Sequence, residues 1–348
     1  MRDRQAREDD PGVAELHVGT YSEAGALYPL RLSPPWSLGG PYRGAPNASF
    51  GACSRRHGLH YLVDERPDGL LRAFRRKATE WEPLARVPTG GSDPCYVALD
   101  AEERWLVVAN YGSGSIALLG LDPRTGLPGD PAAVLANRGG GPVADRQEGP
   151  HTHCAIFSPY GKWLYGVDLG TDEVLAFPFD PDRGSVGERS LAFRMPPGSG
   201  PRHLVFHPHR PIAFLVTELT SSLAAFDVAG GTLSLRQRIS ALPPNFAGES
   251  LGGHLAVNAA GDRVYVSNRG HDSIAVFAFD EAGGLSPLQY VPSGGASPRF
   301  FLLLERQHLL VVANEEGNSV AVFAIAPDGR LQPLARVPVP RPAFVFSS

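Results

Sequence analysis

One short pattern recurs seven times along this chain: two or three apolar residues, a small polar landmark, a tight turn, then a second apolar run. The clear copies are VVANYGSGSIALL, YGVDLGTDEVLAF, LVTELTSSLAAF, YVSNRGHDSIAVF and VVANEEGNSVAVF; the weaker ones are YLVDERPDGLLRAF and HVGTYSEAGALYPL. The landmarks are Thr20, Asp64, Asn110, Asp168, Thr217, Asn268 and Asn314, separated by 44, 46, 58, 49, 51 and 46 residues. The longest step contains NRGGGPVADRQEG, which reads as a loop insertion. A period of this size marks one supersecondary unit that needs its neighbours to bury its faces.

Each unit reads as four strands. SPYGK and NAAGD mark the first turn, YGSGS and RGHDS the second, and helical periodicity is nearly absent. Four strands per repeat of this length predict an all-β, seven-bladed β-propeller. The predicted propeller spans residues 14–348 behind a charged, disordered tail, residues 1–13. The last segment, RPAFVFSS, resembles the opening strands DPCYVAL, GPRHLVF and SPRFFLL. It is therefore expected to supply the innermost strand of blade one and close the ring, hiding two sheet edges. A closed ring needs no partner to cover its edges, so a monomer is expected.

The formal charge of −4 offers no basic field for nucleic acid or an anionic membrane. No apolar run is long enough for a transmembrane helix. The charged start MRDRQAREDDPG does not read as a signal peptide. Cys53, Cys95 and Cys154 are an odd count without metal-ligand spacing, as expected of free thiols in the cytoplasm.

The repeat allows equivalent positions to be compared within one chain. Fifteen residues before each landmark, where the innermost strand begins, stand Ser49, Cys95, His153, Arg202, Gly253 and Arg299, with Ala343 in the blade-one slot. One residue after each landmark, where the second strand ends, stand Tyr21, Glu65, Tyr111, Leu169, Glu218, Arg269 and Glu315. The start of one strand lies beside the end of its antiparallel neighbour, so both sets crown one face near the central channel. Convergent charges around a concavity define a candidate site. His271 sits in the turn RGHDS, where a turn role is expected. His151 and His153 share a strand face and could both reach a metal. However, no third ligand accompanies them and several arginines oppose a cation, so neither metal nor cofactor is expected.

At these residues the sequence resembles a known family. GPHTHCAIFSPYGKWLYGVDLGTDEV, GSGPRHLVFHP, TEL and YVSNRGHDSIAVF are similar to the lactonase family of seven-bladed propellers. Its members include propeller-type 6-phosphogluconolactonases and carboxymuconate-lactonising enzymes. The resemblance implies a cytosolic, metal-independent enzyme acting on a small anionic lactone or carboxylate. By motif, the catalytic His, two Arg and Glu of the lactonising branch fall on His153, Arg202, Arg269 and Glu218. His153 would move the proton, the arginines would hold the oxyanion or carboxylate, and Glu218 would orient them. Arg299, His203, His151, His254 and Tyr111 are candidate substrate-binding residues. The sequence departs from the family at Ala256, where a histidine is usual. Three readings fit: a 6-phosphogluconolactonase-like hydrolase, a muconate-type cycloisomerase, and a propeller that binds a ligand without catalysis.

Overall fold

Val, Ile, Leu and Phe runs bounded by Gly, Asp, Asn and Pro turns form seven antiparallel sheets in the computed structural model, which describes residues 15–21, 26–77 and 80–347. The tail expected over residues 1–13 lies outside the described residues. Blades two, three, five, six and seven are four-stranded meanders in chain order. In blade four the strand Glu173–Asp180 pairs with both Ser185–Val186 and Ser190–Arg194, giving five strands. Blade one has three strands, Leu27–Arg31, Glu15–Thr20 and Pro342–Ser347. Its fourth place is held only by single bridges from Tyr42 to Leu27 and from Leu38 to Leu30. The segment is rich in proline, which cannot donate to a ladder. Strand Pro342–Ser347 pairs with Glu15–Thr20 from Leu16↔Ser347 to Thr20↔Pro342, so both ends of the chain build one sheet.

The second strand of each repeat is buried on both faces, packed against the sheets before and after it; LLVVAN and IAFLVT, for example, hold almost no exposed residue. The landmarks are ties inside this packing. Asn110 donates to the Thr89 carbonyl and to Ser115 Oγ, Asn268 to the Ala241 carbonyl and Ser273 Oγ, and Asn314 to the Ser293 carbonyl. Each holds its own hairpin to the chain arriving from the preceding blade. Four residues beyond the landmark, Gly114, Asp172, Ser221, Asp272 and Asn318 take positive φ, the left-handed conformation that small and Asx residues accept.

One irregularity positions the site. In the innermost ladders, Pro94, Thr152, Pro201 and Pro298 pair with the landmark, but the next pair skips one residue. The extra residues are Cys95, His153, Arg202 and Arg299. Each is the odd member of a β-bulge, which re-aims its side chain out of the regular alternation.

Candidate active site

In blades three, four, five and seven the bulge places two successive residues of the innermost strand toward the channel. The deeper layer, one residue on, is largely aromatic. Phe50 stacks on Tyr96 at 4.2 Å and on Phe344 at 5.0 Å, and meets Phe300 edge-on at 5.7 Å and His203 at 6.0 Å. This plug makes a floor, and the charged residues stand on it.

Glu218 is the centre of the upper layer and is 2% exposed. Its Oε2 accepts from Arg202 Nε at 2.9 Å and pairs with an Arg269 Nη at 2.8 Å; its Oε1 takes Arg146. Burial would raise its pKa, but the charges of Arg269, Arg202 and Arg146 together hold it well below the usual carboxylate range. Burial, aided by repulsion from Arg269, brings Arg202 down to about 10, still charged at neutral pH. Arg202 also donates to the Gly253 carbonyl at 2.7 Å. Arg269 keeps a buried Nε without a partner. One carboxylate thus faces three guanidiniums.

His153 lies beside this cluster, 5% exposed, with Nδ1 3.7 Å from the Cys95 thiol and its ring edge-on to Tyr111 and His203 at 5.5 and 5.1 Å. Burial, then Arg202, pushes its pKa well below the ordinary histidine value, so the ring is neutral at physiological pH. The ring is both dry and next to a guanidinium, and each disfavours its charged form. Burial likewise raises the Cys95 thiol well above its usual value and keeps it protonated.

The other expected residues divide by depth. His203 and His254 belong to the floor, with their Nδ1 atoms 3.0 Å apart. Burial and Arg202 hold both neutral, His254 down to about 3. They offer polar atoms there, without charge. Arg299 stands across the channel, 3.8 Å from both Glu65 and Glu315 and over the Tyr21 ring at 5.1 Å. Burial opposes its charge, but Tyr21, Glu65 and Glu315 raise its pKa on balance. Tyr111 stacks on His151 at 4.5 Å. The ring nitrogens of His151 face the Tyr111 carbonyl at 3.1 Å and Glu148 at 3.0 Å, so both are engaged by the rim itself. Among the described residues no three His, Cys, Asp or Glu side chains gather to hold a metal. His271 stays in its turn, 2.7 Å from Ser273 Oγ.

Arg146 escapes the repeat comparison because it stands in the insertion, which has no counterpart in other blades. The insertion folds back over the mouth, held by Gln147, which is 1% exposed. Gln147 Nε2 donates to the Leu169 carbonyl at 2.8 Å, and its Oε1 accepts from the Val143 N–H. The unusually long step between landmarks is the sequence signal for this element. Beside Arg269 a cavity of about 620 Å³ opens on the same face, lined in part by Thr220, Ser221, Ser250, Ser297, Glu249 and Glu316.

Seven blades around a plugged channel, with a buried cluster of arginine, glutamate and histidine at one mouth, define a propeller with a candidate small-molecule site. The chain belongs to the lactonase family of seven-bladed β-propellers, whose sequence model matches residues 15–347. It is 32% identical over 312 residues to the 6-phosphogluconolactonase of Bacillus subtilis, covering 86% of this chain and 88% of that protein. It is similar in structure to a periplasmic gluconolactonase of Pseudomonas aeruginosa, with a TM-score of 0.87, 28% identity, and coverage of 96% and 99% of the two chains. A putative 6-phosphogluconolactonase of Bacteroides fragilis gives a TM-score of 0.86 at 28% identity, covering 97% and 99%.

Proposed function

We propose that this protein hydrolyses a sugar lactone, with 6-phosphogluconolactone the leading substrate and His153, Arg202, Glu218 and Arg269 the residues that act. The observation that carries the reading is the charge imbalance around Glu218: three guanidiniums share one buried carboxylate, and one arginine retains an unpartnered N–H. Excess positive charge in a dry site favours an anionic ligand and an oxyanionic transition state. The adjoining cavity sets the hydroxyls of Thr220, Ser221, Ser250 and Ser297 and the carboxylates of Glu249 and Glu316 among Leu219, Leu242 and Leu251, and those carboxylates suit a polyol better than a muconate-type diacid.

In this reading neutral His153 takes a proton as water adds to the lactone carbonyl. The carbonyl oxygen becomes an oxyanion beside Arg202 and Arg269. The ring C–O bond then breaks, and the leaving alkoxide recovers the proton from His153. The product is a hydroxy acid whose carboxylate faces the same arginines. Glu218 fixes the guanidiniums in place, and no metal or cofactor takes part. Tyr111, Arg299 and the floor histidines shape the pocket, with His151 holding the mouth from behind Tyr111. We place the enzyme in the cytoplasm as a monomer. Its three unpaired cysteines support a reducing compartment, and the ring closed by Pro342–Ser347 leaves the ends no edge to share. Among the described residues no helix is long and apolar enough to cross a membrane.

The test is hydrolysis of freshly generated 6-phosphogluconolactone with chelator present, after subtracting the spontaneous rate. Wild type should accelerate it, and His153→Ala should lose roughly 10²-fold or more in kcat. Full activity in His153→Ala would remove the proposed mechanism. No activity on this lactone, or on gluconolactone, would move the reading to the cycloisomerase or to ligand binding alone.

A further inference from the structure

Three blades carry a tyrosine three residues before the landmark: Tyr61, Tyr165 and Tyr265. Tyr61 donates to the Gly126 carbonyl at 2.6 Å, and Tyr265 to the Gly329 carbonyl at 3.0 Å. Each reaches the outer hairpin of the following blade. Tyr165 has no such partner, although its side chain is fully buried. The cause is in the hairpins. The loops holding Gly126 and Gly329 run from Leu121 to Pro128 and from Ile325 to Leu331, whereas the blade-five strands Ser222–Ala229 and Thr232–Ser240 are joined by Gly230 and Gly231 alone. The short hairpin does not reach the hydroxyl, and a cavity of about 480 Å³ remains between blades four and five.

This cavity lies on the face opposite Glu218, a strand's length of roughly 20 Å away. Tyr165 and Phe206 line it with rings 5.5 Å apart, and Trp163 and the 83%-exposed Tyr160 extend the aromatic lining. Its charged and basic lining residues are Lys162, His207, His209 and Arg210, and no carboxylate is among them. Arg210 is committed to the Asp280 and Glu281 carbonyls, and His207 Nδ1 accepts from two N–H groups of its own turn. Lys162 is exposed at the cavity and is one of only two lysines in the chain. A buried O–H donor with nothing to donate to, aromatic walls and a free ammonium together describe a receptor for a flat molecule with an anionic edge.

We propose that this cavity is a second binding site, for a small aromatic carboxylate or similar aromatic anion, with Tyr165 Oη donating to it and Lys162 supplying the counter-charge. It is separate from the lactone site and does not depend on the reaction assigned there.

The experiment is calorimetric titration with 2-naphthoate and with its neutral analogue 2-naphthol. Wild type is expected to take up one naphthoate saturably and to bind naphthol at least tenfold more weakly. Tyr165→Phe removes only the unpartnered hydroxyl and should weaken naphthoate roughly tenfold without lowering the melting temperature. Lys162→Glu, at an exposed position, should weaken it by at least as much. Lactone hydrolysis should be unchanged in both variants. The site is refuted by any of three results: no saturable uptake of naphthoate, naphthol bound as tightly as naphthoate, or an affinity that neither substitution moves. The last would mean that water satisfies Tyr165.

Discussion

Glu218 shows how much one side chain organises. Among the described residues it is the only carboxylate that pairs with Arg202, Arg269 and Arg146, and two of those arginines come from neighbouring parts of the ring. Removing it leaves buried guanidiniums unpaired, which costs on the order of 3–5 kcal/mol. Glu218→Ala should therefore lower the urea midpoint as well as activity. Glu218→Gln keeps the shape but not the charge and should show a second effect. A carboxylate with a depressed folded pKa contributes stability above its unfolded pKa, about 4.3, and loses it as pH falls through the folded value. Wild type should lose stability more steeply than Glu218→Gln below about pH 4. Equal acid limbs in denaturation from pH 5 to 2.5 would show that the cluster does not hold this carboxylate ionised. That His153, Arg202, Glu218 and Arg269 gather at one mouth was legible from the repeat, which exposes equivalent positions, whereas only the family resemblance singled these four out from the rest of the two rings. The floor was not: the comparison assumed regular alternation, and the bulges in blades three, five and seven turn Tyr96, His203 and Phe300 toward the channel beside the residues that precede them.

At the scale of elements, the insertion before blade four matters more than its composition suggests. Its glycines read only as a loop, and nothing in the repeat predicts that Arg146 pairs with a glutamate 72 positions away. Gln147 fixes it there through the Leu169 carbonyl and the Val143 N–H. Arg146 supplies charge, and Gln147 supplies only position. Arg146→Ala should lose roughly 10²-fold in kcat/KM on an anionic lactone, consistent with about 2.7 kcal/mol for one charged contact in the transition state. Gln147→Ala should lose about tenfold, mostly in KM, as the loop samples other conformations. Arg146→Lys, which keeps the charge, should recover part of the loss. If kinetics on the substrate show Gln147→Ala indistinguishable from wild type, the loop is not what places Arg146. The hairpin turns after the landmarks, by contrast, were readable in advance. Their positive-φ positions Gly114, Asp172, Ser221, Asp272 and Asn318 suit that conformation, whereas the first turns of blades three and seven place Glu103 and His308 there, which no turn signal in the sequence marks.

The ring closes at a seam in blade one, where the first described strand, Glu15–Thr20, pairs with the last, Pro342–Ser347. His17 lies on strand Glu15–Thr20, Phe346 on the closing strand, and His60 and Trp81 on blade two. Both histidine rings meet Trp81 edge-on at 4.9 Å and lie 5.5–5.6 Å from Phe346. Burial, then Arg76, lowers His17 to about 3 and His60 to about 4. Arg76 is itself bonded to Glu15 at 2.8 Å, so that carboxylate is engaged nearby. A histidine held neutral in the fold and titrating near 6.5 when unfolded makes the unfolded chain bind more protons below that value. Stability contributed this way is intact above about pH 6.5 and falls as pH drops toward 4, by up to about 1.4 kcal/mol per pH unit for each ring. His153, His203 and His254 add the same sign of effect elsewhere, so the acid sensitivity of the whole protein does not locate its source. The double variant His17→Phe/His60→Phe does, because it keeps the aromatic box and removes its two titrations, together with the 3.5 Å approach of His17 Nε2 to Glu15. Urea unfolding between pH 8 and 4.5 should give a midpoint that falls less steeply in the variant than in wild type below pH 6.5. Hydrogen exchange at pH 5 should show the strands Glu15–Thr20 and Pro342–Ser347 opening earlier than those of blade five in wild type only. Parallel midpoint curves would place the acid weakness in the channel histidines, and the seam would then be held by its strand pairing rather than by its neutral rings.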